Sequence, residues 1–388
     1  MDLSDKKIIF NFEKESNSMN ISAMETQKRM IEALDVPGIP VEAVPYGNGH
    51  INHTLCLTTK EPDGSLRRYI LQQINTTVFQ KPEQLMENVS SVCDYLKKKA
   101  AEQGGDPARE TLTLVPFRTG LWMYQDEEGN CWRCYEFVEN SVSYEIADTP
   151  ELMEAAGAAF GQLQMRLDGY PAETLWETIP HFHDTPCRFA AFEQAVREDV
   201  CGRADSVREE IDFWMQRKED CCRVQRMLEE GKLPLRVTHN DTKLNNILFD
   251  KDTGKPLCVV DLDTIMPGLS LYDFGDSLRS GASTAEEDER DLSKVSFDLK
   301  LFEAFTRGYL SQTREVLTPE EIGLLAFSAK LMTMECGIRF LTDYLQGDVY
   351  FKIHRPGHNL DRSRTQMCLV ADMEKKLPQM EAIVERCR

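Results

Sequence analysis

The sequence predicts an α+β fold with a small β-rich amino-terminal lobe and a larger, mainly helical carboxy-terminal lobe. Residues 41–137 contain short β-type runs separated by turn residues, whereas most of the chain after residue 140 carries apolar residues at helical spacing. One β-rich island, residues 235–264, interrupts the helical part. A chain of 388 residues is long enough for two domains, and we place them at 1–139 and 140–388.

The amino-terminal part is expected to begin with a loose polar arm over residues 1–20. Its predicted strands are two within 41–59, joined at Gly47-Asn48-Gly49, and one each over 67–74, 111–117 and 131–139; its predicted helices cover 22–36 and 82–100. From residue 41 the order is β-β-β-α-β-β, which is the order of a kinase amino-terminal lobe. We therefore expect a bilobal, protein-kinase-like fold.

The carboxy-terminal part predicts helical structure on both sides of the β-rich island. The segments with helical apolar stripes are 151–167, 186–199, 207–230, 297–310, 319–346 and 362–387. No internal repeat and no low-complexity linker separates them. The whole segment is therefore expected to form one helical lobe around the island.

Composition argues against several classes of function. The chain has 45 Lys and Arg against 65 Asp and Glu, a net charge of −20, which is unfavourable for binding nucleic acid or an anionic membrane. No apolar run approaches the length of a membrane span, and we expect a cytoplasmic monomer. Its 12 cysteines are then expected to be thiols. Cys131 and Cys134 form a CxxC within a predicted strand, and no second pair completes a zinc site.

The island contains the strongest functional signal of the chain. THNDTKLNNILFD (238–250) places His239, Asp241 and Asn246 in the spacing H-x-D-x-x-x-x-N. Phosphoryl transfer needs a carboxylate that receives or orients the proton of the attacking hydroxyl, and oxygen ligands that hold Mg²⁺ against the phosphates of ATP. We predict that Asp241 is the base, that Asn246 is a metal ligand, and that His239 supports the loop through backbone contacts.

The following strand supplies the remaining polar groups. CVVDLDT (258–264) ends in Asp261, a second predicted metal ligand, and Asp263, which adds a ligand or orients its neighbours. Lys243 is predicted to face the transferred phosphoryl group. The alternative is a plain β-hairpin with Asp252 and Gly254 as turn residues, since a lone H-x-D is a weak signal. The coincidence of the spacing, the strand ending in Asp and the β-rich lobe upstream favours the kinase interpretation.

Longer segments resemble a known family. LRVTHNDTKLNNILFD, VVDLDTIMPGLSLYDFGDSLRSGAST, MECGIRFLTDYLQGDVYF, PYGNGHIN, RYILQQIN, HFHDTP and HNLDRSRTQ are similar to the bacterial N-acetylhexosamine 1-kinases, within the aminoglycoside phosphotransferase and choline kinase superfamily. The likeness runs from about residue 45 to 367. It implies that ATP and N-acetylglucosamine or N-acetylgalactosamine react to the sugar 1-phosphate and ADP, with Asp241 acting on the anomeric hydroxyl.

The same resemblance implies a sugar site made of His50, Arg339 and Tyr350. Directional hydrogen bonds and an aromatic face are suited to a neutral hexose. Each assignment has a structural alternative. His50 follows Gly49 and is compatible with a turn, Arg339 has Asp343 at i+4 as a possible ion-pair partner, and Tyr350 is compatible with simple packing.

The nucleotide contacts are less specific. Gly47 and Gly49 allow close approach of backbone amides to phosphates, although GNGHIN lacks the last glycine of GxGxxG. The backbone of Phe137 and Glu139, in the hinge segment EFVE, is expected to bind the adenine edge. Gln72-Gln73 occupy the place of the protein-kinase lysine, which leaves the replacing cation open.

Tyr272-Asp273 and Asp276, in SLYDFGDS, resemble a family motif that braces the catalytic loop. The DFG at Asp273 is then not the metal-binding Asp, which is Asp261. The rival functions are a kinase of an amino alcohol, homoserine or an aminoglycoside, and a nucleotide-binding pseudokinase scaffold. A protein kinase and a carbohydrate-binding module fit the residues less well. The choice between the two N-acetylhexosamines is open.

Overall fold

A computed structural model describes residues 28–47 and 51–388 of the chain. It confirms the predicted fold class, because a β-sheet region is followed by a larger helical region. The chain divides into two compact units after Ser141, two residues beyond the predicted boundary. None of the helices in the described ranges is long and apolar enough to cross a membrane.

The first unit is built on a five-stranded antiparallel sheet in the order β1-β2-β3-β5-β4. Its strands are β1 (Ile39–Pro45), β2 (His53–Lys60), β3 (Leu66–Ile74), β4 (Tyr124–Gln125) and β5 (Cys131–Glu136), and its helices are α1 (Pro82–Glu102) and α2 (Pro107–Glu110). Residues 28–32 are also helical, and the part of the predicted helix 22–36 before residue 28 lies outside the described residues. Leu55, Leu57 and Leu71 belong to the core on this sheet and are fully buried.

The predicted strand over 111–117 was wrong. This segment forms only isolated bridges, Leu114 to Tyr135 and Phe117 to Leu34, and β4 takes the edge of the sheet beside β5. Pro116 has no backbone N–H to donate, which is unfavourable for a regular ladder.

The cysteines of the described residues, all twelve, are free thiols, as predicted. Cys131 and Cys134 are three positions apart on β5, so their side chains leave opposite faces of the sheet and do not face a common ligand. Both are buried, and burial raises the pKa of the Cys134 thiol. This CxxC is therefore part of the core.

The second unit contains eight α-helices and short strands among its described residues. The helices are α3 (Pro150–Arg166), α4 (Thr185–Glu198), α5 (Arg208–Met215), α6 (Lys218–Glu229), α7 (Ser270–Gly281), α8 (Leu299–Thr313), α9 (Pro319–Gln346) and α10 (His358–Cys387). The strands are β7 (Arg236–Thr238), β8 (Ile247–Asp250), β9 (Pro256–Val259) and β10 (Met266–Gly268), and β6 (Ser141–Val142) lies at the boundary of the units.

The predicted helix 319–346 has the observed bounds of α9 because both ends carry capping signals. The Thr318 hydroxyl and the Glu321 carboxylate form a capping box at its start, and Gly347 adopts a left-handed conformation at its end. The stripe over 207–230 is divided into α5 and α6, and α10 begins four residues before its predicted start. These differences concern element ends, where sequence patterns are least informative.

Glycines permit two close helix crossings in this unit. A Cβ atom on Gly308 of α8 would lie 2.0 Å from the carbonyl oxygen of Glu154 in α3, and one on Gly157 of α3 would lie 2.2 Å from that of Phe305. On α7, a Cβ on Gly275 would lie 2.4 Å from the carbonyl oxygen of Ser328 in α9. Only glycine allows these backbones to approach so closely, and α7 is thereby packed against α9.

Candidate active site

Two short antiparallel pairs position the polar groups of the island. Strand β7 pairs with β10, and β8 pairs with β9. The pairing of Ile247 with Val259 places Asn246 opposite Val260, whose N–H donates to the Asn246 carbonyl at 2.8 Å. Asp261 follows directly. The hairpin therefore brings Asn246 and Asp261, 15 positions apart in sequence, to the same end of its strands.

Helix α7 supports the backbone of the loop that carries Asp241. The buried carboxylate of Asp273 accepts the N–H of His239 at 2.9 Å and that of Asn240 at 2.8 Å. Asp276 accepts the N–H of Thr242 at 3.1 Å. Burial raises the pKa of Asp273. Both aspartates thus lie where a bracing role requires them, although the spacing of apolar residues did not predict α7.

His239 bonds to backbone groups through both ring nitrogens. Its Nδ1 accepts the N–H of Asp241 at 3.3 Å, and its Nε2 is 2.9 Å from the carbonyl oxygen of Val260. A carbonyl only accepts and an amide only donates, so the ring is neutral with its proton on Nε2. His239 therefore connects the Asp241 loop to the end of β9, in the arrangement that its predicted supporting role requires.

Asp241 contacts two other predicted site residues. The Nζ of Lys243 is 2.7 Å from its Oδ1. The Nδ2 of Asn246 donates to the Asp241 carbonyl at 2.8 Å and lies 3.3 Å from Oδ2. Partial burial disfavours the charge of Lys243 and is the largest single effect, but the charge and hydrogen bond of Asp241, together with the charge of Asp276, raise the pKa of Lys243. A carboxylate, an ammonium group and an amide thus converge within one loop.

The donor set at this end of the hairpin suits a hard divalent cation. The side-chain nitrogen of Asn246 donates to Asp241, so its side-chain carbonyl oxygen is the atom that could coordinate a metal ion. Asp261 is exposed and adopts a left-handed backbone with φ 61°. Asp263 follows in a 3₁₀ turn and is only 4% exposed. Asn246 and Asp261 are the residues that would hold the ion, and the burial of Asp263 favours the orienting alternative for that residue.

Arg339 and Tyr350, which the resemblance assigns to one sugar site, lie together in the second unit. An Arg339 guanidinium nitrogen is 3.5 Å from the Tyr350 hydroxyl, at the limit of a hydrogen bond. Its guanidinium carbon is 5.8 Å from the ring centroids of Tyr350 and Phe182, and 5.5 Å from that of Phe351. We call Arg339, Tyr350, Phe182 and Phe351 the aromatic cluster. Tyr350 is 67% exposed, so its ring is available to a ligand.

The alternative partner of Arg339 is engaged elsewhere. Asp343 is 2% exposed and accepts the backbone N–H groups of the loop after α9, those of Val349 and Tyr350 at 2.8 Å and that of Phe351 at 2.9 Å. Its Oδ2 also accepts from the Asn359 side chain at 2.8 Å. Asp343 therefore orders the loop of the aromatic cluster and does not pair with Arg339.

Arg188, which had no role predicted from the sequence, lies beside the cluster. Arg188 donates to the Phe182 carbonyl at 3.2 and 3.3 Å. Burial lowers the pKa of Arg188, and the positive charge of Arg339 lowers it further. HFHDTP is one of the segments that carry the family resemblance, but nothing in its spacing assigns a role to its members. The Arg188 and Arg339 guanidinium groups and the Glu335 carboxylate therefore lie within electrostatic reach of one another beside the cluster.

In the first unit, the predicted nucleotide residues are only partly described. Gly47 has φ 78°, whereas Gly49 and His50 lie outside the described residues. The Phe137 ring lies 3.9 Å beneath the Arg68 guanidinium, which also forms an ion pair with Glu139. The Phe137 N–H donates to the backbone carbonyl of Arg68, and the Glu139 carbonyl accepts from the Arg109 guanidinium. These two backbone groups of the predicted hinge are therefore engaged within the unit, and adenine binding stays a prediction.

The strand position of the protein-kinase lysine has a distinct arrangement here. Gln72 on β3 pairs with Arg133 on β5, and its Oε1 accepts from two Arg133 nitrogens at 3.1 and 2.9 Å. Arg133 is only 1% exposed. A cation is thus present beside this position, but its buried guanidinium is hydrogen-bonded to Gln72 of the neighbouring strand.

Residues 42–315 match the sequence profile of APH, the phosphotransferase enzyme family. The chain belongs to this phosphotransferase family. The match includes the Asp241 loop, the β8–β9 hairpin, α7 and Phe182, but ends before α9 and therefore before Arg339, Tyr350 and Phe351 of the aromatic cluster. Family membership therefore concerns the phosphotransfer part of the site and leaves the acceptor unassigned.

Solved structures of other proteins have a similar fold. An aminoglycoside phosphotransferase from Alicyclobacillus acidocaldarius aligns with a TM-score of 0.59 and 12% identity, over 96% of this chain and 98% of its own. An amicoumacin kinase in complex with AMP-PNP, Ca²⁺ and Ami aligns at 0.53 and 13%, over 93% of each chain. A choline kinase from Cryptosporidium parvum aligns at 0.53 and 14%, over 88% and 91%. At such identities these proteins establish a common kinase-like fold.

Proposed function

We propose that this phosphotransferase is an ATP- and Mg²⁺-dependent kinase that phosphorylates the anomeric hydroxyl of N-acetylhexosamines. The observation that carries the proposal is the Asp241 loop, where the predicted base, Lys243 and Asn246 meet on a backbone held by Asp273. A pseudokinase scaffold has no need for this combination. The predicted cytoplasmic location, monomeric state and lack of nucleic-acid or membrane binding stay predictions.

The reaction follows from the chemistry of these groups. Asp241 takes the proton of the C1 hydroxyl as the sugar oxygen forms its bond to the γ-phosphorus of ATP. The bond between that phosphorus and the oxygen bridging to the β-phosphate breaks, and ADP leaves with the electron pair. Lys243 offsets charge on the transferred group. Mg²⁺ held by Asn246 and Asp261 would neutralise phosphate charge.

The aromatic cluster supports a sugar as the acceptor. A hexose offers hydroxyls to the Arg339 guanidinium and an apolar ring face to Tyr350 or Phe182. The N-acetylhexosamine assignment and the part of His50 come from the family resemblance. The runner-up is a kinase of another alcohol, such as an amino alcohol, homoserine or an aminoglycoside.

The test is release of ADP from Mg²⁺-ATP with N-acetylglucosamine, N-acetylgalactosamine, glucose, galactose, choline, homoserine and kanamycin. Turnover is expected only with the N-acetylhexosamines, and Asp241→Asn should lower kcat by roughly 10²–10⁴-fold, the usual contribution of a general base. Turnover of another alcohol alone would refute the acceptor assignment and keep the phosphotransfer chemistry. ATP binding without turnover of any acceptor would favour the scaffold.

A matched asparagine pair tests the metal assignment. Asn246→Ala should raise the Mg²⁺ concentration for half-maximal activity about tenfold or more, since ligand changes alter metal affinity on this scale. Asn245→Ala is the control, because that neighbouring side chain bonds to Glu145 at 2.9 Å. Equal Mg²⁺ dependence of the two variants would contradict the role of Asn246. Chelation with EDTA should abolish turnover, and added Mg²⁺ should restore it.

A further inference from the structure

A buried histidine of the HFHDTP segment, without a role assigned from the sequence, contacts the Asp241 loop. His183 precedes α4, and its side chain is 7% exposed. Its Nδ1 lies 2.7 Å from Oε1 of Glu335 on α9, and its Nε2 lies 3.1 Å from the carbonyl oxygen of Asn240. Three distant parts of the second unit therefore meet at one imidazole ring.

The partners of His183 define its protonation state. The Asn240 carbonyl only accepts, so Nε2 carries a proton. Glu335 accepts at its other oxygen from the Thr185 hydroxyl at 2.6 Å, and is 2% exposed in its side chain. An ionised carboxylate also only accepts, so Nδ1 carries a proton as well. With both nitrogens protonated, His183 is an imidazolium ion, in contrast to the neutral ring of His239.

The electrostatic surroundings agree with this state. Burial disfavours the charge on His183 and is the largest single effect, but the charge and hydrogen bond of Glu335, together with Asp276 on α7 and the Asn240 carbonyl, raise the pKa of His183. Burial likewise opposes the charge on Glu335, while His183 and then Arg339 lower the pKa of Glu335 below its usual value. The Tyr272 ring of α7 packs 5.4 Å from the imidazole. The charged groups around His183 are therefore mainly anionic.

Asn240 is the residue that needs a fixed backbone. It has a left-handed conformation with φ 65°, which is less favourable for a non-glycine residue and persists when its surroundings hold it. Its N–H is bound by Asp273, and its side chain donates to the Thr264 carbonyl at 2.8 Å. The contact of His183 restrains the remaining polar group, the carbonyl that leads directly into Asp241.

We propose that His183 is a positioning residue, an imidazolium ion bound to Glu335 that fixes the Asn240 carbonyl and so aims Asp241. This inference rests on the proposed role of Asp241 as the base. His183 touches no reacting atom; it acts through the loop. Glu335 and Arg339 are one helical turn apart on α9, so the helix that carries the cation of the aromatic cluster also carries the partner of His183.

Kinetics with a matched pair of histidines test the inference. His183→Gln removes the charge, whereas His181→Gln alters an exposed ring two residues earlier that bonds to Asp184 at 2.9 Å. With the acceptor that the wild type turns over, His183→Gln should lower kcat about 10–100-fold with little change in KM for ATP, because small misplacements of a catalytic group cost rates on this scale. His181→Gln should stay within about twofold. A twofold or smaller loss in His183→Gln would overturn the inference.

The pH profile separates positioning from simple structural support. In the wild type, kcat should fall at alkaline pH as His183 loses its proton. Glu335→Gln removes the main stabilising charge and should move this limb to lower pH by at least one unit, while His181→Gln leaves it in place. An alkaline limb that stays unmoved in Glu335→Gln contradicts the inference.

Two measurements do not depend on the acceptor or on any variant of His183 folding. Nitrogen-15 NMR of the wild type at pH 7 should show one buried imidazolium; a neutral ring for His183 would overturn the inference. Hydrogen exchange of the amides in 239–243 should be faster in Glu335→Gln than in wild type, and unchanged in His181→Gln. If no acceptor in the panel is phosphorylated, the proposed function fails, while these two results still test whether the His183–Glu335 pair holds the loop.

Discussion

Asp343→Asn is the substitution for which the structure gives the sharpest expectation. Asp343 accepts four hydrogen bonds while 2% exposed: Val349 and Tyr350 donate to Oδ1, and Phe351 and Asn359 donate to Oδ2. An asparagine retains one acceptor oxygen, whichever way its amide is turned. It therefore loses two of the four bonds and presents an N–H₂ group to two donors.

The expected loss of stability follows from those two bonds. Hydrogen bonds to a charged group contribute about 1.5–3 kcal/mol each, so Asp343→Asn should lower the unfolding free energy by about 3 kcal/mol. Chemical denaturation of the purified protein measures this difference. Arg339→Gln is the control, and should cost less than about 1 kcal/mol because the structure assigns Asp343 to backbone amides rather than to that guanidinium. Equal losses in the two variants would refute the argument and restore an Arg339–Asp343 ion pair.

The remaining predictions concern a glycine pair and the buried histidine. Gly308→Ala should lower the unfolding free energy by about 1–3 kcal/mol through overpacking against α3, whereas Gly323→Ala, whose new Cβ meets no atom within 4 Å, should raise it by about 0.5–1 kcal/mol; similar shifts in denaturation midpoint for both would contradict the packing. The folded-state pKa of His183 is raised, so its stabilising contribution is complete below the unfolded value of about 6.5 and is lost as pH rises through the folded pKa. The stability difference between wild type and His183→Gln should therefore shrink as the pH rises above about 6.5 through the folded pKa, and a constant difference would argue against an imidazolium.

The parts of the site that are local in sequence were predictable. The spacing from His239 to Asn246 and the strand ending in Asp261 reflect one hairpin, so their proximity follows from chain geometry alone. Helix α9 was predictable because Thr318, Glu321 and Gly347 mark its ends. Where capping or turn residues give a local reason for a structure, the pattern carries that reason.

The contacts that order the site come from distant segments and left no local pattern. His183 and Glu335 are 152 positions apart, and a histidine in a loop gives no sign of its partner. Helix α7 was missed because its buried residues include polar ones, among them Asp273 and Asp276, so its buried side is not a purely apolar stripe. The strand predicted over 111–117 is wrong for a different reason. Its β-type pattern is real, but Pro116 cannot donate a ladder hydrogen bond, and β4 is the strand that pairs with β5 at the edge of the sheet.

Helix α9 also limits how the proposed acceptor site can change. Glu335 and Arg339 are four residues apart on one continuous helix, which separates them by about 6 Å along its axis. A rigid spacer of this kind cannot move one group without moving the other. A larger acceptor must therefore be accommodated by the loop with Tyr350 and Phe351, or by Phe182, rather than by displacement of Arg339. Variation in substrate size among relatives should accordingly concentrate in those two segments, while the helix between them stays constant in length.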